Sequence, residues 1–474
     1  MNKINKNDRT KITKLFKEAF EPYITKIEKR EILIPKNKQP LTIVDTNGPN
    51  DIYPIYSSEN IAYTSLSTYP FKDGKKIGTP ICDRGKAAFY EDMAIVIMAD
   101  GCGLGNCVFN AAQSCVNCLL RYIIDHMEEC KTTKQLAEVM VAAACESHIA
   151  ILTETSDSFQ IGTTTILATV FVYTTSNQPI VISLSVGDCH SYRYNTQKME
   201  TQQLIGDLRK SVRDVNDCGG RLGPQIERKY PDLRNAIIKV DDCSNGDIVF
   251  VATDGFHDNF DPSLLDYQPS DVGFDVKTWK EAMELSNYHE CKKIWIEKFI
   301  SSFFKSSYSL CDVVLQMSEY VVQTTQASRT FMETRKEKLP VDHHLYPGKC
   351  DHTTMIMFTI GKRNDMFDYM NGLIPSYMSY LFGGRQIDKS NSLFKQGRNG
   401  IQAQSQMCLI DSEQNEFSIP ITPASSDMIQ RNGLQNQETS PVRIKYNSDN
   451  NVSSRHQISN TSCRQLKTRR DDDE

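Results

Sequence analysis

The sequence predicts an α+β fold, in which strands and helices come in separate batches rather than in strict alternation. Two observations carry this. Short runs rich in Val, Ile and Thr recur at 94–99, 165–173, 180–186, 237–240, 247–253 and 353–360, the composition of strands that pack on a pleated surface. The runs at 165–173 and 180–186 are separated only by a short polar stretch. Strands joined so closely pair antiparallel, because parallel neighbours need a long crossover. The helical patterns fall in groups between these runs, which suits α+β layering better than a doubly wound parallel sheet.

Taken along the chain, residues 1–50 are polar and rich in Lys and Asn, and read as an extension to the main domain. Within them Ile12, Leu15, Phe16, Ala19 and Phe20 share one face of a helix expected over 11–29. The segment MAIVIMA at 93–99 is a strand whose every position is apolar, ending abruptly in Asp100-Gly101. Val108, Ala111, Ala112, Cys115, Leu119, Tyr122 and Ile123 form one helical face. A second helix is expected over 133–152 and a helical region over 276–335. Residues 51–362 are therefore expected to form one large domain. Beyond Arg363, Gln, Asn, Ser and Asp dominate and the chain ends RRDDDE. Such a composition buries too little apolar surface to offset chain entropy, so 363–474 reads as a largely disordered tail. One aromatic stretch, NGLIPSYMSYLFGG at 371–384, is expected to fold back on the domain or dock a partner, and SPVR at 440–443 fits a proline-directed phosphorylation site.

Composition narrows the function classes. A chain of 474 residues with 24% charged residues and a formal net charge of −5 has no basic excess for general nucleic-acid or lipid binding. The apolar runs at 93–99 and 166–173 fall short of the ~18–20 residues a spanning helix needs. The start, MNKINKNDRTKITK, has no apolar segment of the secretory type. The 15 cysteines are an odd number scattered along the chain, a pattern of reduced thiols that points to the cytoplasm or nucleus. Cys115 and Cys118 have zinc-like spacing, but they lie in a helical pattern without a second pair and read as buried helix cysteines.

The chemistry concentrates in aspartates at strand ends. Asp100 follows the strand at 94–99, Asp254 follows VFVAT, Asp188 follows VISLSVG, and Asp351 stands just before the strand at 353–360. A single aspartate in such a place is a turn or helix cap. Several of them fit a second explanation: strand ends meet in a sheet, and clustered carboxylates repel unless a cation neutralises them. An all-oxygen set without His or Cys suits Mg²⁺ or Mn²⁺. Spacing alone leaves both readings open.

Six motifs in order resemble the PPM (type-2C) family of metal-dependent serine/threonine phosphatases: an acid before a hairpin, ADG at 99–101, GTTT at 162–165, VGDCHSYRY at 186–194, ATDGFHD at 252–258 and DHTT at 351–354. GTPICD (78–83), DCGGRLGP (217–224), GDIVFVATDGFHDNFDP (246–262) and PGKCDHTT (347–354) look closest to a divergent eukaryotic branch. The resemblance covers about 60–361. It implies a β-sandwich of two antiparallel sheets flanked by antiparallel helix pairs. It also implies two Mg²⁺ or Mn²⁺ ions in a cleft at one end, with Asp100 bridging them and the Gly101 carbonyl on one. Asp254 and Asp351 would complete the other site, and Asp188 and Asp258 match acids of a weaker third site. Phosphoprotein substrates would be hydrolysed by metal-activated water without a covalent intermediate.

The pattern breaks in three places. Glu91-Asp92 stands too near Asp100 for a hairpin to fit between them and reads as the hairpin turn, so Asp83 matches the second acid of the family's Glu-Asp pair and Cys82 stands where a carboxylate is usual. Gly78 stands where the family has its phosphate-gripping arginine, and Arg84, Lys75 or Lys76 are the candidates to replace it. Cys102 replaces a histidine thought to protonate the leaving group and is the candidate donor in its place. The retained aspartates favour an active phosphatase. The three departures leave a second reading, a pseudophosphatase that binds or scaffolds, and a third, hydrolysis of another phosphate ester.

Overall fold

A computed structural model describes residues 4–362 apart from 37–38, 47–55, 59, 156, 158–159, 207–216, 308 and 336, together with the backbone of Met370–Asn371. Most of the described strands form two large sheets, beside two small two-stranded ones, and every pairing is antiparallel. One runs Ile237–Asp242, Pro179–Val186, Ile166–Thr174, Ala94–Ala99, Arg84–Phe89 and Thr42–Asp45, with Ile32–Leu33 also on the third of these. The other runs Glu200–Ile205, His190–Asn195, Ile248–Ala252, His352–Thr359, Ile61–Ser67, Tyr56–Ser57 and Met370–Asn371. Val96, Met98, Phe171, Val181, Val249, Val251, Ile356 and Phe358 fill the space where the sheets face each other. Helices cover both outer faces, so the expected α/β/β/α sandwich is the observed architecture.

The unbroken apolar run before Asp100 has a direct cause. Ile95, Ile97 and Ala99 point into the layer under helices Asn106–His126 and Thr133–Thr153, while Ala94, Val96 and Met98 point between the sheets. A strand buried on both faces needs no polar alternation. On the far side, helices Tyr288–Lys305 and Leu310–Thr324 bury Phe299, Ile300, Phe303, Val314 and Met317 against Phe250, Met355 and Met357.

The segment expected to be a polar extension is built into the domain. Helix Lys6–Ile24 starts five residues before the expected helix, capped by the Asn5 side chain, which accepts from the Asp8 amide at 2.8 Å. It buries Ile12, Phe16, Phe20 and Ile24 against the first helical layer. Strand Thr42–Asp45 then pairs with Arg84–Phe89. The boundary at residue 50 is thus corrected by packing: the apolar stripe has its partner in the main core. The tail and the stretch 371–384 lie outside the described residues, except for the strand Met370–Asn371 on Tyr56–Ser57. Asn106–Glu129 and Thr133–Thr153 are long and apolar enough to cross a membrane by length and composition. Here they pack on each other and on the sheet as core helices. The 13 described cysteines are all free thiols, Cys115 buried in its helix.

His148 reports on this packing. Its Nδ1 accepts from the Gly223 amide at 3.0 Å and its Nε2 lies 3.1 Å from the Lys229 carbonyl, a pair of contacts that fixes the neutral ring with hydrogen on Nε2. Burial holds its pKa down at about 4, from 6.5. The folded value lies below the unfolded one, so the unfolded chain takes up the proton first and stability is lost as pH falls from about 6.5 towards 4. Urea unfolding across this window is expected to show wild type losing on the order of 2–3 kcal/mol more than His148→Gln. Parallel losses in both proteins would contradict it.

Candidate metal centre

The hairpin Arg84–Phe89/Ala94–Ala99 pairs Arg84 with Ala99, which sets Asp83 and Asp100 side by side at its open end. The Tyr90 amide donates to the Met93 carbonyl at 2.8 Å, so Glu91 and Asp92 do form the turn at the other end. In the second sheet Ala252 pairs with Met355, which brings Asp254 and Asp351 to the same edge. Asp188 sits in the link between Pro179–Val186 and His190–Asn195. One carboxylate oxygen each of Asp100, Asp188 and Asp254 lies within 4.8 Å of the others. Both sheets therefore deliver acids to one end of the sandwich.

Backbone and hydroxyl contacts hold these acids in place. The Asp100 amide donates to Thr165 Oγ1 at 3.1 Å, and its carbonyl accepts from Thr164 Oγ1 and the Thr165 amide, both at 2.8 Å. Thr253 Oγ1 donates to Asp83 Oδ2 at 2.7 Å and accepts from the Thr354 amide at 2.9 Å, tying the two sheets together. Asn235 receives the Gly187 amide at 3.0 Å and donates to the Gly187 carbonyl at 2.9 Å, fixing the turn before Asp188. A Cβ on Gly101 would stand 2.8 Å from Cys82 Cβ and 2.9 Å from the Cys82 carbonyl, so only glycine lets these two segments close. Tyr69 donates to Asp351 Oδ1 at 3.0 Å.

The electrostatics favour a bound cation. Burial, then Asp83, Asp254, Asp351 and Asp188 in turn, push the Asp100 carboxyl well above the usual range. Burial and then Asp351 do the same to Asp83, against the Thr253 hydrogen bond. Lys349 reaches into the group: its Nζ lies 2.6 Å from Asp254 Oδ2, 2.8 Å from Asp351 Oδ2 and 3.0 Å from Asp258 Oδ2. Carboxylate oxygens gathered this closely in a buried place are the hard donors that suit Mg²⁺ or Mn²⁺. Asp100, Asp188 and Asp254 are the residues placed to hold such an ion.

The aspartates expected at 83, 100, 188, 254, 258 and 351 all converge here. The expected phosphate ligand Arg84 does not: its guanidinium is buried, donates to Asp45 Oδ1 at 3.0 Å and lies over the Phe109 ring. Adjacent strand residues point to opposite faces, so with Asp83 turned to the cluster Arg84 turns away. Lys76 lies on the hairpin Phe71–Lys76, with its Nζ 5.5 Å from the Phe71 ring centre. Cys102 is adjacent to the cluster, with its Sγ 3.9 Å from Cys218 Sγ; the hydrogen bond between them, then burial, push its thiol pKa well up. A thiol so firmly protonated is a weak proton donor at neutral pH. The residues sequence reasoning missed are Lys349, Asn235, the backbone role of Thr164 and Thr165, and His352. The His352 ring accepts from the Cys82 amide at 3.2 Å through Nδ1 and donates to the Gly78 carbonyl at 2.6 Å through Nε2.

No protein-family model matches the chain. A PP2C-like domain-containing protein of Drosophila melanogaster, CG9801, is 32% identical over 194 residues, 39% of this chain and 27% of that protein. The matched stretch thus spans about a quarter of the relative's length. Among solved structures, the Mycobacterium tuberculosis serine/threonine phosphatase PstP/Ppp is similar with 14% identity, covering 64% of this chain and 99% of that one at a TM-score of 0.36. Stp1 from Staphylococcus aureus shows 12% identity, 66% and 99% coverage and a TM-score of 0.38. Over those 194 residues the chain is similar to a PP2C-like domain, and the two-sheet sandwich is the fold that the motif order implied.

His352 is expected to hold the segment that presents Asp83. Replacing it with Ala leaves the buried Cys82 amide without its acceptor and opens a cavity, at a cost on the order of 2–4 kcal/mol. Urea unfolding measures the loss, and hydrogen exchange at the Cys82 amide should accelerate; an unchanged exchange rate there would contradict the assignment.

Proposed function

We propose that this chain is a divalent-cation-dependent phosphatase that hydrolyses phosphoserine and phosphothreonine in proteins. One observation carries the reading: carboxylate oxygens of Asp100, Asp188 and Asp254 approach within 4.8 Å at the joined ends of the two sheets. Asp100, Asp188 and Asp254 would hold Mg²⁺ or Mn²⁺, which would supply an activated water and draw charge from a phosphoryl oxygen. The chain's own residues prepare that site. Thr164 and Thr165 fix the Asp100 backbone, so its carboxylate is aimed before any ligand arrives. Thr253 holds the buried Asp83 beside the cluster. The Lys349 ammonium lies within the cluster and would attract a phosphate dianion, with the point-charge character that distinguishes lysine from a bidentate arginine. The resemblance adds a second ion and phosphoprotein substrates, and the reduced cysteines suit a cytoplasmic or nuclear setting.

A second reading, a pseudophosphatase acting by binding, is favoured by the engagement of Arg84 with Asp45, which leaves the expected phosphate ligand turned away from the cleft. Turnover separates the two. Purified protein is expected to hydrolyse p-nitrophenyl phosphate and a phosphothreonine peptide with Mn²⁺ and not with EDTA. Asp254→Asn should lower kcat by at least about a hundredfold, the scale of losing a charge-stabilising group. Binding of a phosphothreonine peptide without any metal-dependent turnover would favour the pseudophosphatase.

A further inference from the structure

We propose that the Lys349 ammonium is a built-in cation that takes the place of one divalent ion, leaving a one-metal centre at Asp100, Asp188 and Asp254. The inference rests on the metal-dependent reading above and departs from the two-ion site that the resemblance implies.

The geometry separates the cluster into two overlapping halves. Lys349 Nζ touches Asp254 Oδ2, Asp258 Oδ2 and Asp351 Oδ2 at 2.6, 3.0 and 2.8 Å. The set within mutual ligating reach is Asp100, Asp188 and Asp254. Asp254 is the shared member. A divalent ion on Asp254 and Asp351 would need their oxygens at about 2.0–2.2 Å, in space the ammonium already fills. An ammonium seated 2.6 and 2.8 Å from Asp254 Oδ2 and Asp351 Oδ2 leaves no room for a divalent ion on that same pair of oxygens. On the other half, Asp100 makes no ion pair with a lysine or arginine among the described residues.

The lysine is held there by its backbone. Its amide donates to Asn259 Oδ1 at 3.0 Å, and its carbonyl accepts from Asn259 Nδ2, also at 3.0 Å. The same Nδ2 donates to the Gly255 carbonyl at 2.7 Å, which ties the lysine's loop to the turn that carries Asp254. The preceding Gly348 has φ +76, and a Cβ there would stand 2.3 Å from Asn259 Oδ1. This loop is therefore shaped to deliver residue 349 to the carboxylates, and its side chain is only 21% exposed.

The test is metal stoichiometry, which does not depend on turnover. Equilibrium dialysis of the full chain against Mn²⁺ is expected to give one tightly bound ion per wild-type chain and per Lys349→Arg chain. In Lys349→Met a second ion should bind, with affinity at least tenfold tighter than any second binding to wild type. Electron paramagnetic resonance should show an isolated Mn²⁺ in the first two proteins and a spin-coupled pair in the third. Two ions of equal affinity in wild type and Lys349→Met would overturn the inference while leaving a metal centre in place. So would Lys349→Arg behaving as Lys349→Met does. No ion in any of the three would overturn it together with the metal-dependent reading.

Discussion

Like charge gathered at one buried edge is the constraint on which the rest of this structure depends. Asp83, Asp188, Asp254 and Asp258 are all buried, Asp100 is half-buried among them, and Asp351 completes the ring. Carboxylates in low dielectric resist ionisation, which is why Asp83 and Asp100 are pushed well up. Without a cation, this raised affinity for protons costs stability as pH rises through and above the ordinary carboxylate range. A cation reverses the sign: the oxygens that repel become ligands. The same residues are thus a liability to the bare fold and, under the proposed function, the ligands of the ion.

The sandwich makes this concentration of charge affordable only because the strands around it are unusually well buried. The hairpin that carries Asp83 and Asp100 has both faces covered, with Ile95 and Ile97 under the helices and Val96 and Met98 between the sheets. Thr253 bridges Asp83 in one sheet to the Thr354 amide in the other. Site and fold are therefore coupled: the hydrogen bonds that aim the acids also join the two sheets. Asn259 extends the coupling outwards, since one side chain holds both the turn after Asp254 and the loop of Lys349.

Much of this was legible in the residues. Asp100, Asp188, Asp254 and Asp351 could be read because each interrupts an apolar run at a strand end, where an uncompensated charge is costly. The hairpin between Asp83 and Asp100 followed from chain length, with Glu91 and Asp92 at its turn. Strands Ile32–Leu33 and Thr42–Asp45 were not legible, because two to four residues carry no periodicity. The helix start at Lys6 did have a signal in the Asn5 and Asp8 cap. The misplacement of Arg84 had one too, since a residue next to Asp83 in a strand must face the other way. Lys349 was invisible for a different reason. A loop lysine beside glycine looks like solvent-facing charge until Asn259, 90 residues away, holds its backbone.

Thermal unfolding of wild type and Asp100→Asn, each with and without Mn²⁺, tests the central claim that these carboxylates are organised around a divalent cation. Without metal, Asp100→Asn should unfold at the higher temperature, because one repelling charge is gone. With Mn²⁺ at about a hundred times its Kd, wild type should gain roughly 2.7 kcal/mol and become the more stable of the two. A wild-type midpoint that Mn²⁺ and Mg²⁺ leave unmoved, with the two proteins in the same order throughout, would contradict the account.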